Sequence, residues 1–284
     1  MFDMVIVLYK MTASESKTVQ SLKQLLSSTD YPELRQIYLI DNSPTKNQPE
    51  QLAPRFSYQW QAENSGLAKA YNDVWPQSVK AGCKWLVTLD QDTELNAAYL
   101  QKMISAQKNA TERTALIAPI IYDHNQQISP VFTTSLRPLH NILPTSGNYT
   151  KDVMAINSGL AVALDFLAAC GGYNEEFPLD YLDHWLSWQV FQTNQTLQVL
   201  AVTIEHELSV LTPKTLSHER YQKILAAETH FYQTYHVAQL PAFKKQLLLR
   251  GIKQLFQRRV KDALWTLRQW KNVGGTNGKQ KTNT

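Results

Sequence analysis

The stretch Lys84-Trp-Leu-Val-Thr-Leu-Asp90-Gln-Asp92-Thr93 decides how this chain is read. An apolar run of strand length ends in two carboxylates separated by one residue. The run predicts a buried strand. If the backbone stays extended beyond it, Asp90 and Asp92 point to the same side. Paired hard-oxygen ligands of this kind suit Mg²⁺ or Mn²⁺ carrying a diphosphate. The plain alternative is a turn holding two solvated acids.

Working outward, the flanks alternate strand and helix signals. Met4–Leu8, Gln36–Ile40, Phe56–Trp60 and Trp85–Leu89 read as four strands. Ser14–Leu26, Leu67–Val79 and Ala97–Gln107 carry apolar residues at helical spacing. This alternation predicts an α/β fold: a Rossmann-like, mostly parallel central sheet with right-handed crossovers and flanking helices. Ligands of such sheets bind beyond the carboxyl ends of the strands. Strand two ends in Asp41-Asn42-Ser43, strand three leads to Glu63-Asn64-Ser65-Gly66, and strand four ends in Asp90-Gln91-Asp92. Three polar clusters thus share one predicted edge, which favours a pocket over three unrelated turns.

The second half is less regular. Ala115–Tyr122, Val131–Thr134, Val153–Ile156, Gly159–Leu164 and Leu197–Ile204 read as extended segments. Leu136–Lys151, with Pro138, Pro144 and Gly147, reads as a long loop. Asp180–Phe191 and Leu216–Tyr235 read as helices. The last strand leads into Glu205-His206-Glu207.

The bulk composition sets limits. At 284 residues with 43% hydrophobic content, the chain is globular and large enough for one domain plus an appendage. Cys83 and Cys170 form no metal-ligand spacing and fit a reducing compartment. No targeting or membrane-spanning segment is visible, so a cytoplasmic protein is expected, or one peripheral on the inner face of the plasma membrane. The net charge of +4 is unevenly placed. From Ala242 onward there are 11 Lys/Arg and one acid, Asp262, so that segment carries +10 and the preceding 241 residues carry −6.

Strand one, Asp41-Asn-Ser, Asn64-Ser-Gly-Leu-Ala-Lys-Ala-Tyr-Asn72, Asp90-Gln-Asp92 and Gly171-Gly-Tyr-Asn-Glu-Glu-Phe-Pro-Leu-Asp-Tyr-Leu-Asp183 follow one another at characteristic spacing. Their order over residues 4 to 210 resembles family 2 glycosyltransferases with the GT-A fold, closest to the rhamnosyltransferase-like branch. The resemblance implies inverting transfer of a sugar, rhamnose included, from a nucleotide diphosphate sugar. The acceptor would be a hydroxyl of a glycan or a lipid-linked glycan in bacterial cell-surface polysaccharide synthesis. It implies that Asp41 contacts the nucleobase, and that Asn64 and Gly66 shape the nucleotide pocket with Lys69 nearby. It places Asp90 near the ribose and metal, Asp92 and His206 on Mg²⁺ or Mn²⁺, and Asp183 as the catalytic base. Asp180, three residues earlier, is the rival base. Trp185 stands where the branch often has Glu, and Ser187-Trp188-Gln189 stands where an Arg commonly follows.

The implied organisation is a GT-A catalytic domain at 1–212, with a nucleotide-sugar half (about 1–110) and an acceptor half (about 111–212). A basic, amphipathic helical extension (213–272) and a disordered tail (273–284) follow.

Plainer readings stand beside these roles. Asp41-Asn42-Ser43 makes an ordinary turn. Asn64-Ser65-Gly66 makes a helix N-terminus, which also binds anions. Asp183 fits a first-turn helix acid, and His206 a structural histidine. Two other functions share the motifs. One is a non-catalytic nucleotide-sugar-binding relative. The other is a phosphohydrolase of the haloacid-dehalogenase kind, whose Asp-x-Asp motif would instead follow the first strand.

In the tail, Leu248, Ile252, Leu255, Phe256, Val260, Ala263, Leu264 and Leu267 fall at helical spacing among Lys and Arg. Such a helix lies on an anionic membrane surface or packs on protein. No nucleic-acid-reading motif accompanies the charge.

Overall fold

Two mainly apolar strands, Phe2–Leu8 and Trp85–Leu89, are buried along their whole length and pair in parallel near the middle of the sheet. Strands covered on both faces need no polar alternation, which is why Met4–Leu8 and Trp85–Leu89 read as apolar segments; the buried acid of the first strand, Asp3, is paired with Arg35. The computed structural model describes residues 1–47, 49, 51–136, 142–206 and 216–273. Glu207, Pro138 and all but the first residue of the expected 273–284 tail lie outside the described residues.

In chain order the elements are β1 (Phe2–Leu8), α1 (Lys17–Ser28), β2 (Leu34–Asp41), β3 (Phe56–Trp60), α2 (Gly66–Lys80), β4 (Trp85–Leu89), β5 (Thr93–Glu94) and α3 (Ala97–Asn109). Then come β6 (Thr114–Asp123), β7 (Gln126–Ser129), β8 (Val131–Phe132), β9 (Gly147–Tyr149), β10 (Val153–Met154), β11 (Leu160–Ala163), α4 (Leu164–Ala169), α5 (Leu182–Gln192) and β12 (Thr196–His206). Helices α6 (His218–Thr234), α7 (Leu240–Phe256) and α8 (Val260–Asn272) complete the chain. It forms two compact units, Met1–Leu208 and Ser209–Thr284. No helix among the described residues is long and apolar enough to cross a membrane.

The main sheet has the order β3-β2-β1-β4-β11-β6-β12-β5. β1, β2, β3 and β4 run parallel, so their carboxyl ends share one edge. The sheet is mixed further on. β11 is antiparallel to both β4 and β6, while β12 is parallel to β6. The Leu160–Ala163 run is apolar and short, and such a run fits either direction.

Three expectations are corrected. The helix expected from Asp180 starts at Leu182; Tyr181 before it has φ 68°, a left-handed conformation that ends the preceding turn, so Asp180 is not helical. Leu164 opens α4 and does not extend the strand before it. The basic segment is two helices, broken at 257–259 where Arg258 has φ 59°.

Helix α2 is tied to the segment that precedes α5. The N–H groups of Leu67 and Ala68 both point at the Pro178 carbonyl, at 2.6 and 3.4 Å. Gly66 has φ 87°, and a Cβ there would collide with that carbonyl. One turn and a half later, Asn72 takes the Tyr173 N–H (2.8 Å) and donates to the Tyr173 carbonyl and Glu175, both at 2.9 Å. Gly172 is pressed against Asn72, where a Cβ would lie 2.7 Å from its Oδ1.

Asn72→Ala removes this clasp and leaves backbone groups unpaired. We expect a loss of about 2 kcal/mol or more, read as a lower urea midpoint with unchanged slope. A variant that melts like wild type would show the clasp to be dispensable.

Candidate active site

The two acids do not sit on an extended strand. Asp90 leaves β4, and Gln91 and Asp92 form a turn into β5. The turn is nevertheless not two solvated acids. Its outer side is gripped by the start of α1: Thr18 Oγ1 donates to the Asp90 carbonyl (2.6 Å) and accepts from Thr93 N–H (2.9 Å), and Ser16 Oγ donates to the Gln91 carbonyl (2.7 Å). β5 pairs with the end of β12, placing Thr93 opposite His206. Both acids therefore face the imidazole. His206 Nδ1 is 3.4 Å from Asp92 Oδ1, and Nε2 is 3.9 Å from Asp90 Oδ2.

Asp90, Asp92 and His206 offer ligand atoms all within 4.8 Å of one another. Their side chains are 31%, 28% and 5% exposed, so the group is sheltered but reachable from solvent. A cavity of about 220 Å³ beside it is lined by Lys17, Asp92, Glu94, His124, Glu205 and His206.

A chain of hydroxyls orients this cluster. Ser158 Oγ donates to Asp90 Oδ2. Its single proton is then used, so the 3.0 Å contact with Thr93 Oγ1 must carry the threonine proton. Thr93 Oγ1 in turn lies 3.0 Å from His206 Nδ1 and has only a lone pair left for it. The order of donors thus assigns a proton to Nδ1, and a neutral imidazole so oriented would present its Nε2 lone pair beside Asp90. This is the tautomer that a metal-ligating histidine needs, fixed by the bond its other nitrogen makes. On that donor set the three residues fit a divalent cation. Neither Ser158 nor Thr93 carries a motif signal of its own; Ser158 was visible only as part of Asn157-Ser158 between two extended segments.

Asp183 lies in the first turn of α5, half-buried, and accepts the His184 N–H at 2.8 Å. Burial pushes its carboxyl above the ordinary carboxylate range, against His184, and the charge of Asp90 adds to the rise. The Tyr71 phenol, fully buried on α2, is raised far more by burial and by the charges of Asp90, Tyr173 and Asp183. Its ring packs on Tyr173 at 5.0 Å, and neither hydroxyl has a hydrogen-bond partner among the described residues. The two acids and two buried phenols are therefore neighbours.

The remaining expected residues are placed less directly. Asp41 ends β2 fully buried. Its carboxylate accepts from Ser43 N (2.9 Å), Asn47 N (3.2 Å) and Tyr58 Oη (2.6 Å), and so shapes the loop over the sheet edge. A nucleobase would reach it only by replacing one of these donors. Beside that loop lies a cavity of about 420 Å³ that includes Lys10, Thr12, Ser43 and Asn47. Asn64 is exposed and its Oδ1 faces Gly66 N at 3.3 Å. The α2 N-terminus expected to face an anion instead serves Pro178. Lys69 is paired with Asp73 on the same helix. Asp180 is half-buried in the turn before Tyr181. Trp185 is buried, and Ser187 is buried facing Ala155 N.

The sequence model of glycosyl transferase family 2 matches residues 4–165, more than half of the chain. This chain belongs to that family. The dTDP-rhamnosyl transferase RfbF of Shigella flexneri is 24% identical over 123 residues, which is 42% of this chain and 41% of that protein. Among solved structures, S. aureus TarS matches with a TM-score of 0.53 at 12% identity, over 96% of this chain and 55% of that one. TarS 1–349 in complex with UDP matches at 0.51 and 11% identity, covering 98% and 93%. At these identities the structural likeness establishes the fold, which is GT-A. The Asp-x-Asp turn follows β4 and not the first strand, against the phosphohydrolase reading.

The raised Asp183 carboxyl has a stability consequence. Above the ordinary carboxylate pKa of about 4, the unfolded chain ionises this group before the folded one does. Folding stability therefore falls as pH rises from there to the folded pKa, then levels off. We expect Asp183→Asn to melt higher than wild type at pH 7 in EDTA, with the gap closing towards pH 4. Equal melting at both pH values would refute the buried-acid description.

Proposed function

We propose that this protein is an inverting, divalent-cation-dependent glycosyltransferase. It would move a sugar, rhamnose in our reading, from a nucleotide diphosphate sugar to a hydroxyl of a glycan or lipid-linked acceptor during bacterial cell-surface polysaccharide synthesis. The observation that carries the reading is the convergence of Asp90, Asp92 and a tautomer-fixed His206 at the carboxyl edge of the sheet in a member of family 2. The name of RfbF supports dTDP-rhamnose as donor. TarS 1–349, solved with UDP and with UDP-GlcNAc, is a nucleotide-sugar complex on this fold.

In this reading residues 1–110 hold the donor and 111–212 the acceptor. The nucleoside occupies the cavity beside the Asp41 loop, with Asn64, Gly66 and Lys69 along its border. Asp41 acts there by holding the loop in shape. Asp92 and His206, with Asp90, hold Mg²⁺ or Mn²⁺. The imidazole in the set favours Mn²⁺, because nitrogen donors suit transition metals better than Mg²⁺. When bound, the cation neutralises charge on the departing diphosphate.

Asp183 takes the proton of the acceptor hydroxyl as that oxygen attacks the anomeric carbon. A single in-line displacement inverts the centre and needs no covalent intermediate. A carboxylate held above its ordinary range is a stronger base, once ionised, than an ordinary one. Asp180, in the turn before the helix, is the rival for this role.

Asp92→Ala and Asp183→Asn should each lower kcat for sugar transfer by at least about 100-fold, with folding intact. Screening dTDP-, UDP- and GDP-sugars by thermal shift, with and without Mn²⁺, should single out one nucleotide class. Full activity in both variants would sink the assignment. Nucleotide binding without turnover on any acceptor would favour the non-catalytic relative.

Ser158→Ala breaks the hydroxyl chain without touching a ligand. We expect about 10- to 100-fold weaker Mn²⁺ binding, measured by calorimetry on the nucleotide-loaded protein. Unchanged affinity would mean that the chain does not orient His206.

A further inference from the structure

The second unit buries one face of each of its last two helices and leaves the other bare. Phe243, Leu247, Gly251 and Gln254 form the buried row of α7, and Ala263 and Thr266 that of α8. Gly251 lies against Leu267, and Thr266 donates to Gln254 Oε1 at 2.8 Å, so the two helices pack as a hairpin. On the opposite side of α7, Leu249 (54% exposed), Ile252 and Phe256 (85%) recur at intervals of three and four and share one face. Leu255 flanks them, and Val260 (52%) and Leu264 (62%) continue the exposed apolar surface on α8.

The charges around this surface have one sign. Lys245, Lys253, Arg258, Lys261, Arg268 and Lys271 are all exposed. Between residues 240 and 273 the lone acid, Asp262, is buried between His218 (2.6 Å) and Arg259 (2.7 Å). Arg250 is likewise turned inward, onto Glu228. The two helices thus neutralise their inner cations and leave six outer ones with no exposed carboxylate on α7 or α8; exposed Glu219 of α6 is paired with Lys223.

We propose that the outer face of the α7–α8 hairpin docks on an anionic lipid bilayer, with Leu249, Ile252, Phe256, Val260 and Leu264 in the headgroup–acyl boundary. A face with bare apolar side chains in a cationic frame matches an interface that is apolar below and negative above. A second copy of the chain is a poorer occupant, since it would set six cations against six. This inference concerns attachment and does not rest on the transfer chemistry.

The test is co-sedimentation of the full chain with vesicles of phosphatidylcholine alone or with 3:7 phosphatidylglycerol, a ratio of about one anionic lipid in three. We expect at least about ten-fold stronger partitioning to the anionic vesicles, lost in high salt. Phe256→Asp with Leu264→Asp should lower it about ten-fold, and so should Lys253→Glu with Arg258→Glu and Lys261→Glu. Both variants should keep the wild-type melting temperature; if the apolar pair misfolds, the charge-reversed chain still decides. Equal binding to both vesicle types, or unchanged binding by the variants, would overturn the proposal. A wild-type dimer that Phe256→Asp converts to monomer, with no vesicle binding, would reassign the face to a second copy.

Discussion

The hydrogen-bond chain from Asp90 through Ser158 and Thr93 to His206 is the constraint on which the site depends. It connects the end of β4, the residue before the Gly159 turn into β11, the start of β5 and the last residue of β12. Three stretches distant in sequence, around residues 90–93, 158 and 206, are thereby held together at one point. Two carboxylates facing one imidazole are costly to assemble unless donors are supplied to them. Here the Ser158 hydroxyl supplies one to Asp90. Two carboxylates and an imidazole are thereby held close enough to share one divalent ion.

A second constraint ties α2 to the chain before α5. Helix α2 gives the N–H groups of Leu67 and Ala68 to Pro178 and its Asn72 side chain to the Tyr173 turn. It is therefore the support for the segment leading into Asp183. Gly66 and Gly172 are both required by close approach at the two ends of this contact, not by turn geometry alone. A helix N-terminus satisfied in this way no longer serves as an anion cradle.

Much of this was legible in the residues. β3 and β4 end where the apolar runs end, because polar clusters stop each strand at the sheet edge. That the segments after β2, β3 and β4 leave from one sheet edge follows from parallel alternation. What was not legible depends on long-range pairing. The Asp90–Asp92 segment turns because β5 must reach β12, and nothing local announces that. Ser158 and Thr93 are small polar residues that mean something only once their strands are adjacent. The direction of β11 is invisible in a four-residue apolar run. The break in the basic segment falls at Arg258 in a left-handed conformation, with no Gly or Pro to mark it.

The coupling between the two acidic centres has a direction. Asp183 is held up by burial and, in addition, by the negative charge of Asp90. Positive charge brought to the Asp90–Asp92–His206 cluster opposes that second cause and lowers the Asp183 carboxyl towards ionisation. By linkage, an ionised Asp183 must then strengthen the hold on the same positive charge. The coupling needs no moving part, because Asp90 and Asp183 act on one another, and on the buried Tyr71 phenol, directly through charge. Burial makes an ionised Asp183 costly to the fold, so the residue proposed as base is one whose ionised form folding alone would not favour.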